Sequence, residues 1–340
     1  MKVQQVIVKN LNIEDRVMYV KPKNAFVSLK DHKDNFVNDP KCRLLNPTKV
    51  EIGKVSKQIL SRVVNALRVK TKIDLWKNTD SCIEWFESLH NKKELKFVSF
   101  DIVDYYSSIS EKLFCEALNW AKSNVPLSSD EIEIVMKSKS SLLFDGKDFW
   151  KKSGDSDFDI QMGSWDSAES TDVVGMFLLS KVNEIKVNNN SVIGKLYRDD
   201  GLMATRLTPR LNNILKDKLI ELFDYYGLKL KISCNVKIVN FLDITLNLNT
   251  GTYHPYMKPN NTIRYINTSS NHPPATIKNI AKNINNRLSR NSANEDIFNA
   301  SIQPYKKALE ESGHKAKLKY DTKARTVNNR NRRRRTRRIT

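Results

Sequence analysis

Runs of about eighteen apolar residues are missing from this chain, and its first residues, MKVQQVIVKNLNIEDR, lack the apolar stretch of a secretory signal. The expectation is a soluble intracellular body with no membrane partner. Cysteine is sparse: Cys42, Cys82, Cys115 and Cys234 lie far apart with no CxxC pair. That argues against a zinc site or a disulfide framework and reads as buried or half-buried thiols of a reducing compartment. The histidines, His32, His90, His254, His272 and His314, are scattered with no nucleophile at useful spacing, which disfavours a hydrolase triad. No internal repeat is present, and low complexity is confined to the C-terminal tail.

Acid is also in short supply. Asp and Glu number 38 against 58 Lys and Arg, for a formal charge of +20. The stretch DTKARTVNNRNRRRRTRRIT (321–340) carries +8 of this, including Arg332, Arg333, Arg334, Arg335, Arg337 and Arg338, and the other 320 residues carry +12. A basic body with a separate Arg-rich arm points to a polyanion, most simply nucleic acid, because phosphate neutralisation with counterion release is the usual use of such an excess. The arm alone serves equally well as a nuclear-import address or an RNA-binding tail, and is expected to be disordered.

What is present is an alternation of strand and helix signals. Val55, Ile59, Val63 and Leu67 recur at helical spacing. KFVSF is an apolar strand ending at Asp101, and Ser110 reads as the N-cap of a helix with Leu113, Phe114, Ala117 and Leu118 on one face. A further helix is expected to open at Thr171, followed by the strand SVIGKLY, a tip holding Asp199 and Asp200, and the return strand LMAT. Thr208 with Pro209 predicts a helix start and Gly227 its stop. IRYIN reads as a strand, and Ile277, Ile280, Ala281, Ile284 and Leu288 mark one face of a later helix.

Asp101 at one strand end and Asp199 and Asp200 at another pose a question of charge. If the strand ends adjoin in one sheet, the clustered carboxylates repel unless a divalent cation neutralises them. Hard oxygen ligands suit Mg²⁺, and two such ions about 4 Å apart support in-line phosphoryl transfer. On spacing alone, three unrelated turn aspartates remain the equal alternative. Asp104, Asp166 and Asp172 read as solvated or capping residues.

The words around these carboxylates resemble a known family. FDIVDYYSSI (100–109) and YRDDG (197–201) are similar, in order and separation, to the two catalytic motifs of reverse transcriptases. SLKDHK followed by CRLLNP resembles their fingers motifs, QMGSWDSAESTDVVGMFLL their Gln-x-Gly-Ser loop and helix, and KIVNFLDITL their lysine segment and primer-grip box. PYMKPNNTIRYINTSSNHPPATIKNI is similar to the segment that follows in Penelope-like retroelement polymerases.

This resemblance implies an α+β right-hand polymerase with fingers over 1–95, a palm over 96–250 with an antiparallel catalytic hairpin, a thumb-like region over 251–318 and a disordered tail over 319–340. It implies RNA-directed DNA synthesis with two Mg²⁺ ions, or Mn²⁺ in their place, an RNA template, a DNA or RNA primer and deoxynucleoside triphosphates. Asp101, Asp199, Asp200 and the carbonyl of Ile102 would be the metal ligands. Lys30, Lys33 and Arg43 would meet the triphosphate, Tyr106 would sit under the sugar and exclude a 2′-hydroxyl, and Gln161 and Gly163 would shape the nucleotide pocket. Lys237 would donate the proton to the leaving pyrophosphate, and Phe241 and Leu242 would support the primer end.

Departures from the family pattern are local. SWDSAES stands where most relatives have a Ser-Pro pair, and its Asp166, Glu169 and Asp172 place acid near the template path. Arg198 is bulkier and more basic than the commonest residue of the box. The fingers begin almost at the first residue and no endonuclease segment is visible, so the chain is expected to be a piece of a longer, nuclear element product. The rivals are a catalytically inactive RNA-binding relic and an RNA-templated RNA polymerase, the latter disfavoured by Tyr106.

Overall fold

Every second residue of KFVSFDI points to the same face of a strand, and in this segment both faces are largely covered: Phe97, Val98, Phe100 and Ile102 are all buried. Such a strand belongs in the middle of a sheet. The computed structural model, which describes residues 24–29, 36–46, 52–140, 143–150, 157–185, 193–259, 262–322 and 324, places it there.

In chain order the elements are β1 (Phe26–Leu29), β2 (Cys42–Leu45), α1 (Ile52–Thr71), α2 (Thr79–Ser88), β3 (Lys96–Ile102), the single-turn α3 (Tyr105–Ser108), α4 (Glu111–Asn124) and α5 (Ser129–Lys137). They continue with β4 (Leu143–Phe144), β5 (Phe149–Trp150), α6 (Ser167–Glu184), β6 (Ile193–Tyr197), β7 (Asp200–Thr205), α7 (Pro209–Tyr225) and β8 (Leu230–Val236). The last are β9 (Ile238–Phe241), β10 (Ile244–Asn247), β11 (Thr252–Pro255), α8 (Pro274–Asn291), α9 (Glu295–Ser301) and α10 (Gln303–Glu311).

The chain divides into two compact units, one of residues 1–75 and 98–235, the other of 76–97 and 236–340. In the first, a four-stranded sheet runs in the order β6-β7-β3-β8. Helices α1, α4, α5 and α6 pack on one another, and their apolar faces join Val98, Phe100, Leu196 and Met203 in one core. Helix α6 is the most enclosed: Val173, Val174, Met176, Phe177, Leu178 and Leu179 are all buried, covering nearly every direction around its axis, as expected of a helix that is apolar all round. Local signals set the ends of its neighbours. Ser110 accepts from the Leu113 amide at 3.1 Å, Thr208 caps α7 with Pro209 at its first position, and Gly227 turns the chain at φ +74°.

The second unit has the antiparallel sheet β11-β10-β9. Phe86 of α2 lies 6.3 Å from both Phe97 and Tyr253, and Trp76 meets Phe241 edge-on at 4.9 Å. Its helical end closes on Leu288, Phe298 and Tyr305, with Ile263, Ile284 and Leu318 packed around them.

Several expectations are corrected. Helix α6 opens at Ser167, four residues before Thr171, because its first turn is polar yet buried and carries no apolar periodicity. IRYIN forms no strand. Its neighbourhood bonds instead to the loop after α10, with the Thr268 amide on the Ser312 carbonyl at 3.1 Å and His314 Nε2 2.8 Å from the Ile266 carbonyl. Cys42 is exposed on β2, unlike the buried Cys82. Among the described residues no helix is long and apolar enough to cross a membrane.

Candidate active site

Strand β3 ends beside a tight hairpin. Strands β6 and β7 pair antiparallel with Tyr197 opposite Asp200, so Arg198 and Asp199 alone form the connection. Arg198 takes φ +55°, the positive value that two-residue hairpin turns require at their first central position. The Ile102 amide then donates to the Asp199 carbonyl at 2.9 Å. This bond sets Asp101 and Ile102 at the end of β3 against the tip that carries Asp199 and Asp200, so the sequence-predicted strand ends do adjoin. All three aspartates are half-buried.

The residue after Asp200 has to be small. A Cβ on Gly201 would lie 2.2 Å from the Phe100 ring, whose other neighbour is Phe223 at 5.6 Å. The glycine of the box is therefore set by the aromatic that precedes Asp101.

Beyond β3 the Val103 amide bonds to the Lys229 carbonyl at 2.9 Å, and Asp104, in the left-handed region at φ +48°, turns the chain into α3. Asp104 is exposed, in keeping with a solvated turn residue. Tyr105 points inward and its hydroxyl donates to the Thr171 carbonyl at 3.1 Å, burial holding its phenol well above the usual tyrosine range. Tyr106 points the other way, into a cleft of about 230 Å³.

That cleft gathers Arg43 of β2, Tyr106 of α3 and Gln161 of the loop before α6, three residues expected to meet one nucleotide. Asn46, which sequence reasoning missed, is buried and donates its side-chain amide to the Gln161 carbonyl oxygen. The loop is held close. Gly163 sits at φ +105°, and a Cβ there would lie 3.1 Å from the Asn46 carbonyl. Lys30, Lys33 and the arginines at 332–338 lie outside the described residues.

The acidic residues after Gly163 do not face a template path as free charge. Asp166 is buried and takes the Lys139 ammonium, the Ser56 hydroxyl and, at 2.8 Å, the Ser138 hydroxyl. Lys139 is equally buried and lies 5.5 Å from the centre of the Phe114 ring; burial pulls its pKa below the usual lysine range, against the opposing pull of Asp166. Glu169 is 3.6 Å from Lys57, and Asp172 is paired with Arg198. Burial pushes the Asp172 carboxyl up to about 6 in spite of that arginine. No local signal marks these partners, which come from different elements.

The other predicted residues belong to the second unit. Lys237 donates its ammonium to the Lys93 and Leu95 carbonyls, each at 2.6 Å. Phe241 is buried at the end of β9, and Leu242, at φ +52°, makes the turn into β10.

Among the described residues no group of three or more His, Cys, Asp or Glu side chains is already drawn together to hold a metal ion. The donor set itself fits a hard cation: carboxylates on adjoining strand ends, joined through the Ile102 to Asp199 bond, with neither sulfur nor imidazole among them.

Comparison with known structures bears on the architecture. The chain matches the RNA-dependent RNA polymerase of a human picobirnavirus with a TM-score of 0.57 at 9% identity, over 90% of this chain and 58% of that one. Apo telomerase from Candida tropicalis matches with a TM-score of 0.52 at 12% identity, over 92% of this chain and 61% of the other. Telomerase from Candida albicans, solved with a fragment of telomeric RNA, matches at 0.51 and 10% identity, over 77% and 47% of the two chains. The fold is that of a right-hand polymerase. The chain spans about half to three fifths of the length of these polymerases. A family profile described as the animal helix-turn-helix domain matches residues 264–322 of this chain. No curated protein matches its sequence.

Proposed function

We propose that the chain is an RNA-directed DNA polymerase of a Penelope-like retroelement, transferring deoxynucleotides to a primer 3′-hydroxyl. The observation that carries this reading is the junction of the Asp101 strand with the Asp199–Asp200 tip, next to a cleft that already holds Arg43, Tyr106 and Gln161.

Asp101, Asp199, Asp200 and the Ile102 carbonyl would hold two Mg²⁺ ions, which supply a more nucleophilic 3′-hydroxyl and charge neutralisation at the leaving pyrophosphate. The chain's own residues do the positioning. Arg43 presents a planar fork to triphosphate oxygens, with Lys30 and Lys33 adding charge from the same fingers segment. The Tyr106 ring lies under the sugar, where it leaves no room for a 2′-hydroxyl. Gln161, oriented by Asn46, and the Gly163 turn shape the pocket around the incoming base. Phe241 and Leu242 support the primer end. A proton-donor role for Lys237 requires its ammonium to leave the Lys93 and Leu95 carbonyls.

The helix-turn-helix match favours a second role for the end of the chain, gripping duplex nucleic acid. Helix α8 has no acidic residue, and Lys278, Lys282 and Arg287 are exposed along it. The Arg-rich tail would add counterion-releasing contacts to RNA and an import address to the nucleus.

The deciding experiment is primer extension on an RNA template with deoxynucleotides and Mg²⁺, comparing the native chain with Asp199→Asn/Asp200→Asn. Extension lost in the variant supports the proposal. If neither protein extends a primer while both bind RNA equally, the chain is an RNA-binding relic of a polymerase.

A further inference from the structure

A non-glycine residue at positive φ is strained, and the surrounding structure has to hold it there. Arg198 is such a residue, at φ +55° in the tip of the hairpin. Its guanidinium reaches one turn of α6, where it donates to the Ala168 carbonyl, to the Asp172 carboxylate and, at 3.3 Å, to the Thr171 hydroxyl. All three acceptors are met by one guanidinium nitrogen, Nη1, whose two protons they share. A lysine keeps the charge, but its side chain is shorter and does not reproduce that reach.

The same turn of α6 receives the Tyr105 hydroxyl on the Thr171 carbonyl at 3.1 Å. Residues 168–172 thus anchor both sides of the junction: α3, which follows Asp101, and the tip that carries Asp199. The helix also begins just after the Gln161–Gly163 loop, and the buried Asp166 to Lys139 pair fixes that end.

We infer that Arg198 is a positioning residue, a clasp that holds the Asp199–Asp200 tip in register with β3 and with the loop beside the cleft. Its kinetic consequence rests on the polymerase reading; its structural consequence does not. The Ile102 amide, bonded to the Asp199 carbonyl, reports the register directly.

The test is amide hydrogen exchange of the full chain together with single-nucleotide addition, for the native protein, Arg198→Met and Arg198→Lys. In Arg198→Met, protection of the Ile102 amide should fall at least about tenfold while amides of α4 keep theirs. The addition rate kcat should fall at least about tenfold with KM for the nucleotide within about threefold, because misplaced carboxylates weaken the transition state more than ground-state binding. Arg198→Lys should recover only part of either. Unchanged Ile102 exchange in Arg198→Met overturns the clasp, as does protection lost equally throughout the first unit. A native chain that adds no nucleotide overturns the polymerase reading instead, and the exchange result still decides the clasp.

Discussion

The Ile102 amide and the Asp199 carbonyl are bonded at 2.9 Å, joining segments far apart in sequence where the Asp101 strand end adjoins the Asp199–Asp200 tip. A single backbone bond cannot order carboxylates by itself. It works here because each partner is held elsewhere: β3 by its position inside the sheet, the hairpin by the packing of Gly201 under Phe100 and by Arg198.

Gly201 makes the first of these constraints measurable. With its would-be Cβ 2.2 Å from the Phe100 ring, Gly201→Ala overpacks the sheet and should destabilise the chain by about 1–3 kcal/mol in urea unfolding. Phe100→Leu/Gly201→Ala should recover part of that loss, giving a coupling energy of opposite sign in a double-mutant cycle. Strictly additive effects would mean that the ring yields freely and does not set the glycine.

Much of this arrangement was legible in sequence, and the reason is locality. Ser110, Thr208 with Pro209, and Gly227 act on their own helix ends, so a few adjacent residues suffice to place them. The alternation around Asp101 and the two strands flanking Asp199 are likewise local. The three residues of the cleft, Arg43, Tyr106 and Gln161, were reached only through family motifs, since nothing in their spacing joins them. What escaped were the side-chain contacts whose partner lies in another element: Asn46 on Gln161, Lys139 on Asp166, Arg198 on α6. The opening of α6 was misplaced for the same reason, its first turn being buried by polar partners that hydrophobic periodicity does not register.

The Lys139 to Asp166 pair should behave as a buried pair does. Lys139→Met leaves the Asp166 carboxylate enclosed with only hydroxyl donors and should cost about 3–5 kcal/mol in denaturant unfolding. Lys139→Met/Asp166→Leu removes both charges and should be far less damaging than the single change. Equal losses for the single and double variants would show that the ion pair is not what the site depends on.

Asp172 gives a pH dependence of definite sign. Burial raises its carboxyl from near 3.8 to about 6, Arg198 opposes the rise and Glu169 adds to it. The folded chain thus holds this proton more tightly than the unfolded chain. The stability it contributes is present below about pH 4 and is lost as pH rises towards 6. Asp172→Asn does not titrate, so its stability relative to the native chain should improve by about 2 kcal/mol between about pH 4.5 and about pH 7.5. A difference that stays flat with pH, measured by urea unfolding at both ends, contradicts the assignment.

Under the proposed polymerase reading, Tyr106 would carry the choice between DNA and RNA as product. Its half-buried ring shares the cleft with Arg43 and Gln161, while its neighbour Tyr105 is turned inward onto Thr171. The two adjacent tyrosines therefore differ in place, one fixing α3 to α6 and the other lining the cleft, where the proposal sets it against the sugar. A steric contact with a single added hydroxyl is worth about 1–3 kcal/mol of discrimination. Tyr106→Ala should accordingly lower the preference for a deoxynucleotide over the matching ribonucleotide at least about tenfold, read as the ratio of kcat/KM values on an RNA template. Tyr106→Phe keeps the ring and should keep the preference. If the alanine variant discriminates as the native chain does, the sugar is selected elsewhere, and a polymerase that makes RNA becomes the better reading of the same cleft.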